Sequence, residues 1–119
     1  MTEFSVDGQR VVVVGAARSG IAAAELLVSR RARVTVSDAN SEFDGADRLR
    51  ASGIDLDLGG HSADVFADAD LAVVSPAVPF DLPVLEGLRR RGVPVIGELE
   101  LAWRWLRGSV IAITRTKGE

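Results

Sequence analysis

A short glycine-containing turn is the first place in this chain where residue types and spacing could bind a ligand. Gly15, Ala17 and Gly20 follow four consecutive valines. Small residues let backbone N–H groups approach a phosphate closely, and the start of a following helix carries a partial positive charge that favours an anion. The spacing approaches the dinucleotide pattern G-x-G-x-x-G, but the methyl group of Ala17 limits how closely a pyrophosphate can pack. The turn therefore predicts an anion site, and a turn of the same shape that binds nothing is the alternative.

An acidic residue stands at the distance from this turn where nucleotide-binding folds place one. Asp38 comes 23 positions after Gly15 and follows an apolar alternation that includes Val34 and Val36. A carboxylate at such a strand end accepts hydrogen bonds from a ribose or a base. Asp38 is therefore predicted to contact a ligand. The alternative is an aspartate that only caps the polar loop 38–41, since Asp and Asn favour turns.

A third candidate is the loop 75–79, which follows the apolar run 71–74. Pro76 restricts Ser75 to extended backbone geometry and stiffens the loop. Ligands of open α/β sheets bind along the carboxyl ends of the strands, so this loop is predicted to contribute to the same site. A plain structural turn is the alternative.

Composition excludes several other kinds of site. The 119 residues include no cysteine and one histidine, so disulfides and thiolate chemistry are excluded and no metal site is expected. His61 lies in a polar turn, where a structural or solvated role is the prediction. The formal net charge of -3 disfavours a nucleic-acid partner. No apolar run is long enough to span a bilayer and the first residues lack a signal-peptide core, so no membrane partner and a cytoplasmic location are predicted.

Apolar runs alternate with helical patterns and indicate the elements that must position these loops. Strands are predicted over 10–14, 33–37, 54–58, 71–74, 93–96 and 110–113, and helices over 19–30, 42–52, 62–67, 82–91 and 98–106. This alternation predicts an α/β fold, a three-layer Rossmann-like domain with a mostly parallel sheet of about five strands. In the strand 54–58 apolar residues alternate with Asp55 and Asp57. One face of this strand is therefore polar, and the strand is expected at an edge of the sheet. The last helix is apolar on two sides, which predicts two packing partners.

Five segments of the sequence, taken together, resemble those of a known protein family. They are GAARSG after the first strand, SDAN after the second, VVSPAVP after the fourth, and then VIGELELAWRW and IAITRTKG. The ordered set resembles the N-terminal domain of the Mur ligases from about residue 10 to the last residue. Within that family it is most similar to the member that adds D-glutamate, and the members that add L-alanine or meso-diaminopimelate are the alternatives.

The resemblance implies a three-domain enzyme of peptidoglycan precursor synthesis. Its first domain binds the UDP part of UDP-N-acetylmuramoyl-L-alanine, its second binds ATP and magnesium, and its third brings the amino acid. ATP phosphorylates the substrate carboxylate, and the amine then attacks the acyl phosphate. By this likeness residues 1–108 form a UDP-binding domain and residues 109–119 begin the ATPase domain. The expected partners are the UDP substrate and the central and C-terminal domains, with no cofactor held by this segment itself.

The resemblance also assigns residues to the UDP site. The diphosphate is expected at backbone N–H groups of the first turn and at the Ser19 hydroxyl, with Arg18 adding charge. Uracil is expected at Asp38, whose carboxylate accepts from the imide N–H, and at the two residues after it. Ala77 matches a family position, usually glycine, that reaches the nucleotide through its backbone. The expected set is Gly15, Ala17, Arg18, Ser19, Gly20, Asp38, Ala39, Asn40, Ser75, Pro76 and Ala77.

The end of the chain departs from the family pattern T-G-T-N-G-K-[ST]-T. Arg115 replaces the first glycine, and Glu119 stands where the phosphate-binding lysine belongs. A carboxylate at that position repels ATP phosphates. We therefore expect this segment alone neither to bind ATP nor to form an amide bond, and we expect no catalytic residue in it. The degenerate remnant of the phosphate loop is Thr114, Thr116, Lys117 and Gly118.

Two other functions fit part of the sequence. A module that binds a nicotinamide dinucleotide shares Gly15 and Asp38 but requires glycine at position 17. A non-binding interaction domain would instead use the apolar side of the last helix around Trp105. Tighter binding of NAD than of UDP favours the first, and self-association without nucleotide binding favours the second.

Overall fold

Five short strands form one fully parallel sheet in a computed structural model that describes residues 6–16, 18–79 and 81–104. The strands are β1 (Arg10–Val14), β2 (Arg33–Asp38), β3 (Asp55–Leu58), β4 (Leu71–Val74) and β5 (Val95–Gly97). Their order across the sheet is β3-β2-β1-β4-β5, which places β1 at the centre and β3 at one edge. The predicted α/β fold and the predicted edge position of the third strand are confirmed.

A helix follows each strand and carries the chain back to the start of the next. The helices are α1 (Arg18–Ser29), α2 (Ala46–Ala51), α3 (Ala63–Ala67), α4 (Pro83–Arg90) and a helical segment over residues 98–104, here called α5. The predicted strand 110–113, the phosphate-loop remnant 114–118, Ala17 and Trp105 lie outside the described residues. None of the described helices combines the length and the hydropathy needed to cross a bilayer.

The central strand is buried on both faces, as its four valines predict. Val11 and Val13 belong to one core, which the sheet forms with α1, α2 and α5. Val12 and Val14 belong to the other core, which the sheet forms with α3 and α4. Because successive side chains of a strand point to opposite faces, one run of β-branched residues serves both cores. The result is a helix–sheet–helix arrangement of three layers.

Two elements begin more than one residue later than predicted, for local backbone reasons. The helix predicted over 42–52 begins only at Ala46, because Gly45 before it adopts a left-handed φ of 96°. The strand predicted over 93–96 begins at Val95. Pro94 has no N–H to donate, although its carbonyl accepts a hydrogen bond from the Ala72 N–H at 3.0 Å.

One of the two apolar sides predicted for the last helix packs on the sheet. Leu101 of α5 is 2% exposed and belongs to the core shared with α1. Leu99 and Trp103 of the same helix are 82% and 56% exposed within the described part of the chain. The structure therefore shows the packing partner of one side of α5.

Candidate functional site

The three candidate loops lie together at the carboxyl edge of the sheet because β2 and β4 flank β1. The Gly15 N–H donates to the Ser37 carbonyl at 2.8 Å, and the Ser75 N–H donates to the Val14 carbonyl at 2.9 Å. These bonds extend the strand pairing into the loops that follow. Three segments that the sequence identified separately therefore form one edge, where open α/β sheets bind ligands.

The first turn is closed tightly enough to require glycine at position 15. Gly15 has a φ of 100°, a conformation that L side chains rarely adopt. A Cβ built there would lie 2.8 Å from Ser75 Cβ and 2.9 Å from Val78 Cγ2. The backbone of the first turn therefore packs directly against the loop after β4.

The start of α1 is suited to an anion. A Cβ at Gly20 would lie 2.2 Å from the Gly15 carbonyl oxygen, so glycine lets the helix begin against the end of β1. The first turn of α1 contains no acidic residue, and its N–H groups, which have no partner within the helix, carry the positive end of the helix dipole. The side chains of Arg18 and Ser19, like Ala17, lie outside what the structure describes.

Asp38 joins the first two loops through both of its carboxylate oxygens. Oδ2 accepts from the Ala16 N–H at 2.6 Å, and Oδ1 accepts from the Asn40 N–H at 2.7 Å. The second bond is the loop cap considered as the alternative role. The first links Asp38 to the glycine turn across a separation of 22 residues. Each carboxylate oxygen can accept more than one hydrogen bond, so these contacts leave acceptor capacity for a ligand.

Four of the other predicted site residues lie at the rim. Ala39, Asn40, Pro76 and Ala77 are exposed, whereas Ser75 is 2% exposed. The Ala77 N–H is 3.5 Å from Ser75 Oγ, at the long limit of a hydrogen bond. The loop after β4 therefore presents backbone and small side chains to the edge, with its serine beneath them.

A polar network behind Asp38 was not predicted from the sequence. Ser37 Oγ donates to Asp57 Oδ2 at 3.0 Å and lies 2.7 Å from His61 Nδ1. Asp57 also accepts from the Ser62 hydroxyl at 2.6 Å and from the Ser62 N–H at 2.8 Å. The His61 ring meets the Phe66 ring edge-on. These contacts agree with the structural role, one of the two roles predicted for His61, and the polar alternation of β3 was the one sequence signal for this network.

Hydrogen bonding keeps Asp57 ionised although it is partly buried. Burial alone raises the pKa of this carboxyl. Two hydrogen bonds from Ser62, one from Ser37 and the nearby His61 ring outweigh that effect and lower the pKa below its usual value. Asp57 is therefore an acceptor only, which fixes the direction of the bonds it makes.

Glu98 is a second residue that sequence reasoning missed. Its Oε2 atom is buried without a hydrogen-bond partner among the described residues. The same atom lies 3.3 Å from the position a Cβ would take at Gly20. Glu98 thus places a carboxylate beside the start of α1, where the helix dipole stabilises it. Its position directly after β5 was a signal that could have identified it.

Comparison with known proteins agrees with this arrangement. A family model described as Mur ligase MurD-like, N-terminal domain, matches residues 9–97. The UDP-N-acetylmuramoylalanine--D-glutamate ligase of Koribacter versatilis is 49% identical over 119 residues, which cover 98% of this chain and 26% of that protein. The chain thus spans about a quarter of the length of this relative.

Solved structures of related ligases share the fold. The UDP-N-acetylmuramate-alanine ligase MurC of Thermotoga maritima aligns with a TM-score of 0.70 and 30% identity, over 83% of this chain and 23% of that one. A pseudomurein peptide ligase type C of Methanothermus fervidus aligns with a TM-score of 0.68 and 28% identity, over 79% of this chain and 20% of that one. The resemblance that five sequence segments indicated is confirmed, and the chain belongs to the MurD-like N-terminal domain family of the Mur ligases.

Proposed function

We propose that this chain binds the uridine diphosphate part of UDP-N-acetylmuramoyl-L-alanine. In the proposal it acts as the first domain of an ATP-dependent ligase that adds D-glutamate during peptidoglycan precursor synthesis. The name of the Koribacter versatilis relative supports the reaction, and the chain corresponds to about a quarter of that protein. The domain itself contributes recognition of the substrate rather than a chemical step.

The observation that carries the proposal is the bond from the Ala16 N–H to Asp38 Oδ2, at 2.6 Å. It places the carboxylate suited to a base next to the turn suited to a phosphate. A nucleotide needs both kinds of contact within the length of one molecule, and either loop alone would supply only one. The packing of Ser75 against Gly15 brings the third loop to the same position.

In this proposal the start of α1 holds the diphosphate. The N–H groups of its first turn donate to phosphate oxygens, and the helix dipole adds a favourable field. The hydroxyl of Ser19 and the guanidinium of Arg18 supply further donors. The carboxylate of Glu98 near Gly20 opposes negative charge at this position. We therefore expect the diphosphate to bind weakly at this position.

Asp38 reads the base in the same proposal. An ionised carboxylate accepts from the N3–H of uracil but repels the N3 lone pair of cytosine. The exposed loop residues Ala39 and Asn40 form the wall beside the base. This recognition predicts a preference for a uridine nucleotide, whereas a nicotinamide dinucleotide would require closer approach at Ala17.

The ATP-dependent step belongs to the remaining domains of the proposed ligase. ATP would phosphorylate the substrate carboxylate, and the magnesium ion would neutralise phosphate charge there. Thr114, Thr116, Lys117 and Gly118 do not fit this role, because Arg115 and Glu119 replace the glycine and the lysine of the family loop. We therefore propose that this chain by itself neither binds ATP nor catalyses ligation.

A titration of the chain with UDP, CDP and NAD tests this proposal. We expect UDP to shift the amide NMR signals of Ala16, Gly20 and Asn40, and to bind at least about tenfold more tightly than CDP or NAD. In Asp38→Asn the preference for UDP over CDP should fall, because an amide can donate to cytosine N3. Asp55→Asn, an exposed change on β3, should keep the preference.

Three results of this titration would contradict parts of the proposal. Signal changes confined to residues distant from these loops would contradict the site, and NAD binding tighter than UDP binding would favour the dinucleotide module. An unchanged UDP preference in Asp38→Asn would remove Asp38 from base recognition while leaving the diphosphate contact standing.

A further inference from the structure

A buried serine, a histidine and an aspartate form a cluster directly beneath the proposed base-binding loop. Ser37 contacts both His61 and Asp57 through its hydroxyl. These are the residue types of a hydrolytic triad, but Ser37 is completely buried. A substrate carbonyl therefore cannot reach its oxygen, and nucleophilic catalysis is excluded for it. The cluster needs a different explanation.

The protons of the cluster can be assigned from donor and acceptor capacity. Ionised Asp57 only accepts, and the Ser37 hydroxyl has a single proton, so Ser37 donates to Asp57. The 2.7 Å contact between Ser37 Oγ and His61 Nδ1 then requires the proton to be on Nδ1. His61 Nδ1–H donates to Ser37, and Ser37 donates to Asp57. The hydrogen bonds therefore run in one direction, from His61 through Ser37 to Asp57, and they require the tautomer of His61 that carries its proton on Nδ1.

Main-chain bonds connect this cluster to the proposed nucleotide site. The Gly60 N–H donates to the Asp38 carbonyl at 3.2 Å, and the Gly59 N–H donates to the Asn40 carbonyl at 3.0 Å. The Ser37 carbonyl accepts from the Gly15 N–H at 2.8 Å. The turn that carries His61 is thus attached both to the base loop and, through Ser37, to the phosphate turn.

We propose that His61 is a positioning residue for the nucleotide site, which sets the placement of the Ser37–Asp38 backbone by donating from Nδ1 to Ser37. The ligand of that site is a uridine nucleotide, and this identification rests on the proposed function. Without this donor the Ser37 hydroxyl keeps only its bond to Asp57, so the Ser37–Asp38 segment is held less firmly between the two loops. His61 acts through Ser37 and itself touches no part of the ligand.

Three substitutions of His61 separate positioning from packing. The amide nitrogen of His61→Asn can replace Nδ1–H as the donor to Ser37, whereas His61→Leu and His61→Gln cannot supply a donor at that place. We expect His61→Leu and His61→Gln to weaken UDP binding about tenfold, and His61→Asn to stay within about threefold of the parent chain. Asp64→Asn, an exposed change on α3, is the control and should not alter binding.

A second readout does not depend on nucleotide binding. Ring ¹⁵N shifts should show the Nδ1–H tautomer of His61 in the parent chain. The amide signals of Ala16 and Asn40, which report on both Asp38 bonds, should move in His61→Leu and return toward their parent positions in His61→Asn. Urea unfolding identifies any variant that fails to fold.

These outcomes distinguish the two proposals. If the parent chain binds no UDP, the proposed function fails, and the amide signals alone decide whether His61 positions the loops. An Nε2–H tautomer, unmoved Ala16 and Asn40 signals in a folded His61→Leu, or equal effects of the asparagine and leucine substitutions would each overturn the positioning role.

Discussion

Two buried serines on either side of β1 make different contributions to the same edge of the sheet. Ser37 on the β2 side is held by hydrogen bonds to Asp57 and His61, and it is completely buried. Ser75 on the β4 side is 2% exposed, and its hydroxyl has only the 3.5 Å contact to the Ala77 N–H among the described residues. Ser37 contributes through the hydrogen bonds of its hydroxyl group, whereas Ser75 contributes through its Cβ, which packs closely against Gly15.

This contrast shows that the carboxyl edge of the sheet is held in place by packing on one side and by hydrogen bonds on the other. On the β4 side, close packing leaves no room for an added methyl group, so steric exclusion fixes the turn. On the β2 side, directional bonds fix the loop that carries Asp38. The two sides are therefore expected to respond to different substitutions.

The largest loss of stability is expected from a substitution at Gly15, which packs against the loop after β4. Gly15→Ala introduces a Cβ at a φ of 100° and within 3 Å of atoms in the loop after β4. Backbone strain and the steric clash together should lower the free energy of unfolding by about 3 kcal/mol, measured by urea denaturation.

Gly53→Ala is the matched control for this change. Gly53 has a φ of 83°, but a Cβ there has nothing within 4 Å. It should lose only about 1 kcal/mol from the backbone conformation. Equal losses in the two variants would mean that packing against Ser75 contributes nothing to the turn.

The two serines themselves give the next largest effect. Ser37→Ala leaves the His61 Nδ1–H without its acceptor and removes one donor from Asp57, so the free energy of unfolding should fall by about 2 kcal/mol. Ser75→Ala removes one long contact and should cost less than about 0.5 kcal/mol. The same denaturation experiment measures both, and a larger loss in Ser75→Ala would reverse the comparison.

The smallest effect is expected from the charge of Asp57. Its pKa is lower in the folded chain than in the unfolded one, so the ionised form stabilises the fold above the usual aspartate pKa. This stabilisation disappears as the pH falls from about 4 through the lower folded-state value. Asp57→Asn should therefore flatten the acid dependence of the urea midpoint, and Asp55→Asn should leave it steep. A parallel acid dependence in Asp57→Asn and the parent chain would contradict the role of these hydrogen bonds.

The central part of the fold and the position of the site could be predicted because they depend on local patterns. Four valines indicated a strand buried on both faces, and the spacing of Gly15 and Gly20 indicated a tight turn into a helix. Asp38 was identified by its distance from the turn. Each of these signals lies within one strand–helix–strand unit of about 30 residues, whose geometry is common to many proteins.

The polar network could not be predicted because it depends on which strands are neighbours. Ser37 and His61 are 24 residues apart, and they meet only because β3 pairs with β2. The sequence indicated a parallel sheet but not its order. Glu98 was missed for the same reason, since its proximity to Gly20 depends on α5 and α1 lying on one face of the sheet.

The central position of β1 in the sheet also affects how the chain folds while it is being synthesised. Val11 pairs with Val34 on one side and with Leu71 on the other. While the residues between the four valines and Leu71 are being synthesised, the edge of β1 that pairs with β4 has no partner strand. Because an unpaired strand edge can pair with another chain, we expect this apolar edge to favour aggregation during that interval.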